Sequence, residues 1–309
     1  IIADKGLINI FESVKRCKNI HTSFLDQGIL YEYLCSGIFK KDINYIYFED
    51  FIMLKKDKKH IVRVMIVTAL IIGCIMGCGQ TGKQENEEAA SIEMQAIWTQ
   101  IAEVFADYDE HLIFEGQNEP RKVGTSVEWT GGDKEGWAVV NHLNQVFIDT
   151  VRQSGGSNPY RILMIPSYGA NCWEGIKHVE VPGNDNRIIV SVHAYEPYDF
   201  ALNPNGRSEW NQDTSAIDTI MGNLKTMFID QGIPVIIGEF GAMNRDNEEE
   251  RAQWAMYYVS KAKEIGIPCI WWDNGAFTGD GELLGLFDRR TYECVYPKVL
   301  EALQQATQE

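Results

Sequence analysis

Five short apolar runs mark the second two-thirds of the chain: HLIFEG at 111–116, RILMIP at 161–166, RIIVSVHAY at 187–195, IPVIIGEFG at 233–241 and IPCIWWDNG at 267–275. Runs this short and this continuously apolar predict strands buried on both faces. The stretches between and after them carry apolar residues at helical spacing: AIWTQIAEVFADY, EGWAVVNHLNQVFIDTVRQSG, DTSAIDTIMGNLKTMFIDQG, NEEERAQWAMYYVSKAKEIG and YPKVLEALQQ. In the first, Ile97, Ile101, Val104 and Phe105 are expected to share one helical face. Gly232 and Gly266 close two of these helices, at the left-handed C-terminal position that favours a residue without Cβ. Apolar strands alternating with amphipathic helices predict an α/β fold, a parallel sheet covered on both faces.

Upstream the pattern changes. Residues 1–52 show no clean period and form an unassigned segment. From Met53 onward, Lys55, Lys56, Lys58 and Lys59 precede an apolar run over 61–77, broken only by Arg63 and followed by Cys78. A basic end, an apolar run and a Cys at its boundary are the layout of a bacterial lipoprotein signal, here spanning 53–78. That reading makes Cys78 the lipidation site, with Cys74 as second candidate, and expects a lipid-anchored protein on the outer face of a bacterial membrane. A transmembrane anchor or a buried helix is the alternative, although the run is shorter than the ~20 residues a spanning helix needs. Residues 79–95 read as a polar, acidic linker between this signal and the domain over 96–309.

Composition narrows the partners. The formal net charge is −16, which argues against nucleic acid, because phosphate binding needs clustered Lys and Arg. The seven Cys include no Cys-x-x-Cys pair, so no structural metal is expected, and Cys172, Cys269 and Cys294 read as buried thiols.

Chemistry is concentrated where the strands end. Run 111–116 leads into Gln117-Asn118-Glu119-Pro120-Arg121, run 187–192 into His193-Ala194-Tyr195, run 233–238 into Glu239-Phe240-Gly241, and run 267–270 into Trp271-Trp272-Asp273-Asn274. In (β/α) barrels the catalytic groups project from these C-terminal ends. Two carboxylates on separate strand ends suit glycoside hydrolysis, in which one protonates the leaving oxygen and the other attacks or activates water. An apolar strand rarely ends in Glu for packing reasons, because burying an unpaired carboxylate is costly. Each member taken alone has a plainer reading: Asn-Glu-Pro as a loop opening, Glu239 as a salt-bridged strand end, His193 as a core histidine, Trp271 and Trp272 as core.

The runs LIFEGQNEPR, SVHAYEPYDFA, IPVIIGEFGA and IPCIWWDNG together resemble family 5 of the glycoside hydrolases, and especially its endoglucanase branch. The resemblance implies a (β/α)8 TIM barrel, of which 96–309 would supply about five of eight units, strands four to eight. It implies that Glu119 is the acid/base and Glu239 the nucleophile of a double displacement with retained configuration. Tyr195 would hydrogen-bond the nucleophile and His193 would line the site. Asn118 would bind the 2-hydroxyl at the cleavage point, and Trp272, in preference to Trp271, would stack under the sugar. The substrate implied is a β-linked polysaccharide, cellulose-like in the first place, with xyloglucan, mixed-linkage glucan, xylan and mannan as alternatives. Neither a metal nor an organic cofactor is implied. The family's Arg after strand two, which supports the nucleophile, and its His after strand three have no match in this sequence. Their absence predicts a raised pKa on Glu239, and leaves a non-catalytic, glycan-binding surface lipoprotein as the competing class.

Overall fold

The computed structural model describes residues 65–68 and 80–308, all within the second of two units, Glu49–Glu309, into which the chain divides. The upstream segment 1–52, Cys74, Cys78 and most of the signal-like run lie outside the described residues. Four residues of that run, Met65–Thr68, are strand β1. After it come α1 (Gln80–Val104), β2 (Leu112–Glu115), α2 (Lys134–Gln153), β3 (Leu163–Asn171), β4 (Ile188–His193), the single-turn α3 (Tyr198–Ala201), α4 (Ser215–Met227), β5 (Val235–Phe240), α5 (Glu248–Glu264) and β6 (Cys269–Trp271). A two-stranded ribbon, β7 (Phe287–Asp288) and β8 (Glu293–Cys294), precedes the closing helix α6 (Pro297–Ala306).

The main sheet runs β1-β2-β3-β4-β5-β6, and every pair of neighbours is parallel. Strands consecutive in sequence are thus consecutive in space, with helices in most of the connections, which is the arc of a partial (β/α) barrel. Each of the five apolar runs supplies one strand, and β1 adds a sixth from within the signal-like stretch.

Alternation along the strands sorts the core into two layers. Val190, Val192, Val235 and Ile237 face outward and pack on Ile217, Ile220 and Leu224 of α4 and on Trp254 and Tyr258 of α5. Ile113, Met164, Ile236 and Ile270 form a separate cluster on the inner face. The strand pleat puts successive side chains on opposite faces, so this inner plug and the outer layer are both obligatory.

Two expectations at α1 are corrected. Residues 80–95, expected as a linker, are helical and continuous with the segment that follows. Glu, Gln, Lys and Ala look polar or featureless to a hydrophobicity scan, yet they are strong helix formers. Val104 does not share the buried face, being 54% exposed; Met94, Ile97, Trp98, Ile101 and Ala102 are the buried set. Trp98 fixes that face by packing 4.4 Å from the Phe147 ring of α2 and donating its indole N–H to the Gly116 carbonyl.

The lower end of the sheet is closed by Arg161, 1% exposed. Its guanidinium donates to Asn158 Oδ1 and to the carbonyls of Phe105, Tyr108, Asp109 and Leu112. One side chain thereby joins the end of α1 to the start of β2 and β3. Of the three described cysteines, all free, Cys172 is buried whereas Cys269 and Cys294 are half-buried. Burial pushes the thiols of Cys172 and Cys269 far up, which keeps them unreactive. Among the described residues no helix is long and apolar enough to cross a membrane.

Candidate active site

Three strand ends meet over the inner plug. Glu239 lies within β5 and His193 is the last residue of β4; the two are register partners across a slip in the ladder. Such slips re-aim side chains at the rim of a sheet. Glu119 reaches the same point from the loop after β2. His193 Nδ1 lies 2.8 Å from Glu119 Oε1 and 3.3 Å from Glu239 Oε2. Tyr195, two residues beyond β4, donates its hydroxyl to Glu239 Oε2 at 2.7 Å.

One atom from each of Glu119, His193 and Glu239 lies within 4.8 Å of the other two. Carboxyl groups about 5–5.5 Å apart fit direct attack by one of them, whereas the roughly 6.5–9.5 Å of an inverting pair leaves space for a water. Here one oxygen of each carboxyl group lies within 4.8 Å of the other, so both groups can reach a single glycosidic bond. The His193 and Tyr195 contacts to Glu239 both fall on Oε2. The same trio is the one group among the described residues with spacing that would admit a divalent cation. A cation there would occupy both carboxylates and compete with the proton on His193.

Burial alone would lower the pKa of His193. The charge of Glu239, the hydrogen bond and charge of Glu119, and the charge of Glu115 outweigh it and raise the imidazole to about 9. Glu239 is pushed up to about 7, chiefly by burial; His193 opposes the rise, Glu119 and Glu115 add to it, and the Tyr195 hydrogen bond opposes it. Burial and the neighbouring Glu239 hold the Tyr195 phenol well above its ordinary value, so it remains a donor. Among the described residues, His193 is the one cationic group within 4 Å of Glu239.

The remaining candidates are placed less completely. Asn118 is half-buried directly before Glu119. Trp271 is committed to the helix layer: its ring packs on Phe240 and Trp254, and its indole N–H donates to the Leu284 carbonyl. Trp272, the next residue after β6, is half-buried, and its backbone N–H donates to the Phe240 carbonyl.

Three residues near the site are not singled out by the sequence pattern. Glu115, 5% exposed, is a third carboxylate on β2. The burial argument that singles out Glu239 applies to it equally, since it too ends an apolar run. Arg121 donates to the Glu119 carbonyl and brings Nη1 to 3.8 Å from Glu119 Oε2. Its guanidinium lies 3.9 Å over the ring of Trp129, which is 58% exposed on the same loop. No local pattern announces that pair, because it is made by the course of a loop.

Comparison with known proteins decides the lineage. The family model for Cellulase (glycosyl hydrolase family 5) matches residues 69–278. The chain belongs to glycosyl hydrolase family 5. This family 5 chain is 54% identical over 222 residues to Endoglucanase B of Neocallimastix patriciarum, a match that covers 71% of the chain and 47% of that protein. The chain thus spans about half the length of the curated relatives it matches. Among solved structures, a GH5-4 broad specificity endoglucanase from Ruminococcus champanellensis with bound cellotriose superposes with a TM-score of 0.71 at 40% identity, covering 78% of this chain and 69% of that one. A family 5 lichenase from Caldicellulosiruptor sp. F32, a point mutant in complex with cellotetraose, gives a TM-score of 0.72 at 38% identity, covering 79% and 69%.

Proposed function

We propose that this chain is a retaining endo-β-1,4-glucanase. The observation that carries the reading is the hydrogen-bonded set of Glu119, His193, Glu239 and Tyr195, with one oxygen of each carboxylate within 4.8 Å of the other. In the first step Glu239 Oε1 forms a bond to the anomeric carbon as the glycosidic C–O bond breaks. Glu119 delivers a proton to the departing oxygen. In the second step Glu119 takes a proton from water, the water oxygen bonds to the anomeric carbon, and Glu239 leaves. Tyr195 keeps Glu239 Oε2 occupied throughout, so a single oxygen attacks. Asn118 holds the 2-hydroxyl, and Trp272 supplies the apolar face under the sugar ring.

Cellulose-like β-1,4-glucan is the substrate class we favour, with mixed-linkage glucan next. The solved relatives include a broad-specificity endoglucanase with bound cellotriose and a lichenase in complex with cellotetraose. The test is a panel of soluble β-glycans incubated with the full chain and followed by proton NMR. The β-anomer is expected to appear first on the preferred glucan and to mutarotate afterwards. Early appearance of the α-anomer would sink the retaining mechanism, and no release from any glycan would sink the hydrolase reading.

The signal-like segment motivates a second proposal, that the chain is cut before Cys78, which then carries a lipid anchor outside the cytoplasm, so that the sheet of the processed protein begins at β2. Labelled palmitate fed to a bacterial host should enter the wild-type chain and not Cys78→Ala; equal labelling of both would move the anchor away from Cys78, and labelling of neither would dismiss it.

A further inference from the structure

The strand beside the acid/base loop ends irregularly. β3 keeps register with β4 as far as Pro166, slips, and resumes where Asn171 meets His193. Within the slip, Gly169 and Ala170 take left-handed φ values of 59° and 48°. The detour turns Tyr168 and Gly169 toward the peptide that follows Glu119. The Gly169 N–H donates to the Pro120 carbonyl at 2.8 Å, and the Tyr168 hydroxyl accepts the Lys122 N–H, also at 2.8 Å.

Tyr168 is built into this position. It is 2% exposed, and its ring fills a slot between the turn before α2 and the first turn of that helix. A Cβ on Gly132 would stand 2.7 Å from the ring, and one on Gly136 would stand 2.5 Å from it. The slot exists because both positions lack side chains. From the other side, Lys122 Nζ spans Asp133 at 2.8 Å and Glu135 at 2.6 Å. Lys122 is thus gripped through its backbone by β3 and through its side chain by the start of α2.

The bracket answers a need specific to one carboxylate. Glu239 is set in a strand, but Glu119 stands four residues past the end of β2, on a loop. Groups on loops are held less accurately than groups on strands. A misplacement of about 1 Å can cost on the order of 100-fold in rate.

We propose that Tyr168 is a positioning residue for Glu119: its buried hydroxyl, together with the Gly169 N–H, fixes the peptide 120–122 and through it the carboxyl that serves the leaving oxygen. The proposal rests on the hydrolase reading above. Tyr168 touches neither the carboxylate nor a sugar, so its removal should impair proton delivery and spare nucleophilic attack.

Two substrates separate those steps. The leaving alcohol of a soluble β-1,4-glucan oligosaccharide needs a proton; 2,4-dinitrophenolate leaves a β-cellobioside without one. For Tyr168→Phe in the full chain, kcat/KM is expected to fall about ten-fold on the oligosaccharide and less than about two-fold on the aryl glycoside. Thermal melting run alongside reports on folding. Lys122→Met, which leaves the phenol intact, is expected to repeat the selective loss at smaller size. Equal losses on both substrates in the two variants, or no loss on the oligosaccharide, would overturn the positioning role. A wild-type chain inert on both would overturn the hydrolase reading, and this role with it.

Discussion

Glu239→Ala is expected to abolish glucan hydrolysis, lowering kcat by on the order of 10⁴-fold or more, as removal of a covalent nucleophile does elsewhere. Truncation leaves a space beside His193 and Tyr195 that a small anion can enter. Azide added to this variant should therefore attack the anomeric carbon directly, and with a dinitrophenyl cellobioside as substrate the product should be the α-glycosyl azide. Glu119→Ala should behave oppositely. It keeps its nucleophile, forms the covalent intermediate from the activated substrate, and yields the β-glycosyl azide when azide replaces water. Its loss on unactivated glucan should be about 10²–10⁴-fold, the usual worth of a general acid. NMR of the two azides assigns both roles at once. Exchange of the anomers between the variants would reverse the assignment of the carboxylates, and absence of any azide product would deny it.

The second large effect is on pH. In the proposed mechanism Glu239 must be ionised to attack, and burial has raised it to about 7. The acid limb of kcat/KM is accordingly expected near pH 7, well above that of an ordinary glutamate. Tyr195→Phe removes a hydrogen bond that favours the carboxylate, so Glu239 rises and the limb moves to higher pH. A limb near pH 4.5, unmoved in Tyr195→Phe, would contradict the geometry. Stability should follow the same groups. A carboxyl with a folded pKa above its unfolded one binds protons more tightly when folded, so its contribution is lost as pH rises from about 4.5 to 7. His193, raised from 6.5 to about 9, contributes fully below 6.5, and that contribution is lost as pH rises through 9. Both slopes have the same sign. Chemical denaturation should show stability falling between about pH 5 and 9, and Glu239→Gln, which removes both the raised carboxyl and the charge that does most to raise His193, should flatten the fall across that interval. Rising stability over the same interval would refute the assignment.

The elements easiest to read in the sequence are those whose physics is local. Five buried strands announce themselves as apolar runs, and the residues just past them are at the rim by construction, so Glu119, His193, Tyr195 and Glu239 can be named together. Helix α1 is longer than its apolar period suggests because Glu and Ala carry helix propensity without hydrophobicity, and periodicity alone does not register them. Val104 departs from expectation for a related reason: the period is right, but the phase is set by Trp98, whose partner Phe147 lies in another helix. Tyr168 is not legible at all. Its function depends on Gly132, Gly136 and Lys122 arriving around it, and distances between loops are not written in any one stretch of chain.

The strand order has a consequence for inheritance. Each strand pairs only with those before and after it, so the arc from β2 to β5 forms an uninterrupted block. Both carboxylates, the imidazole between them, the phenol on Glu239 and the bracket around Glu119 all fall inside that block. A crossover between genes on either side of it would carry these residues across together. The neighbouring β/α units could then diverge without disturbing the hydrogen bonds among those residues.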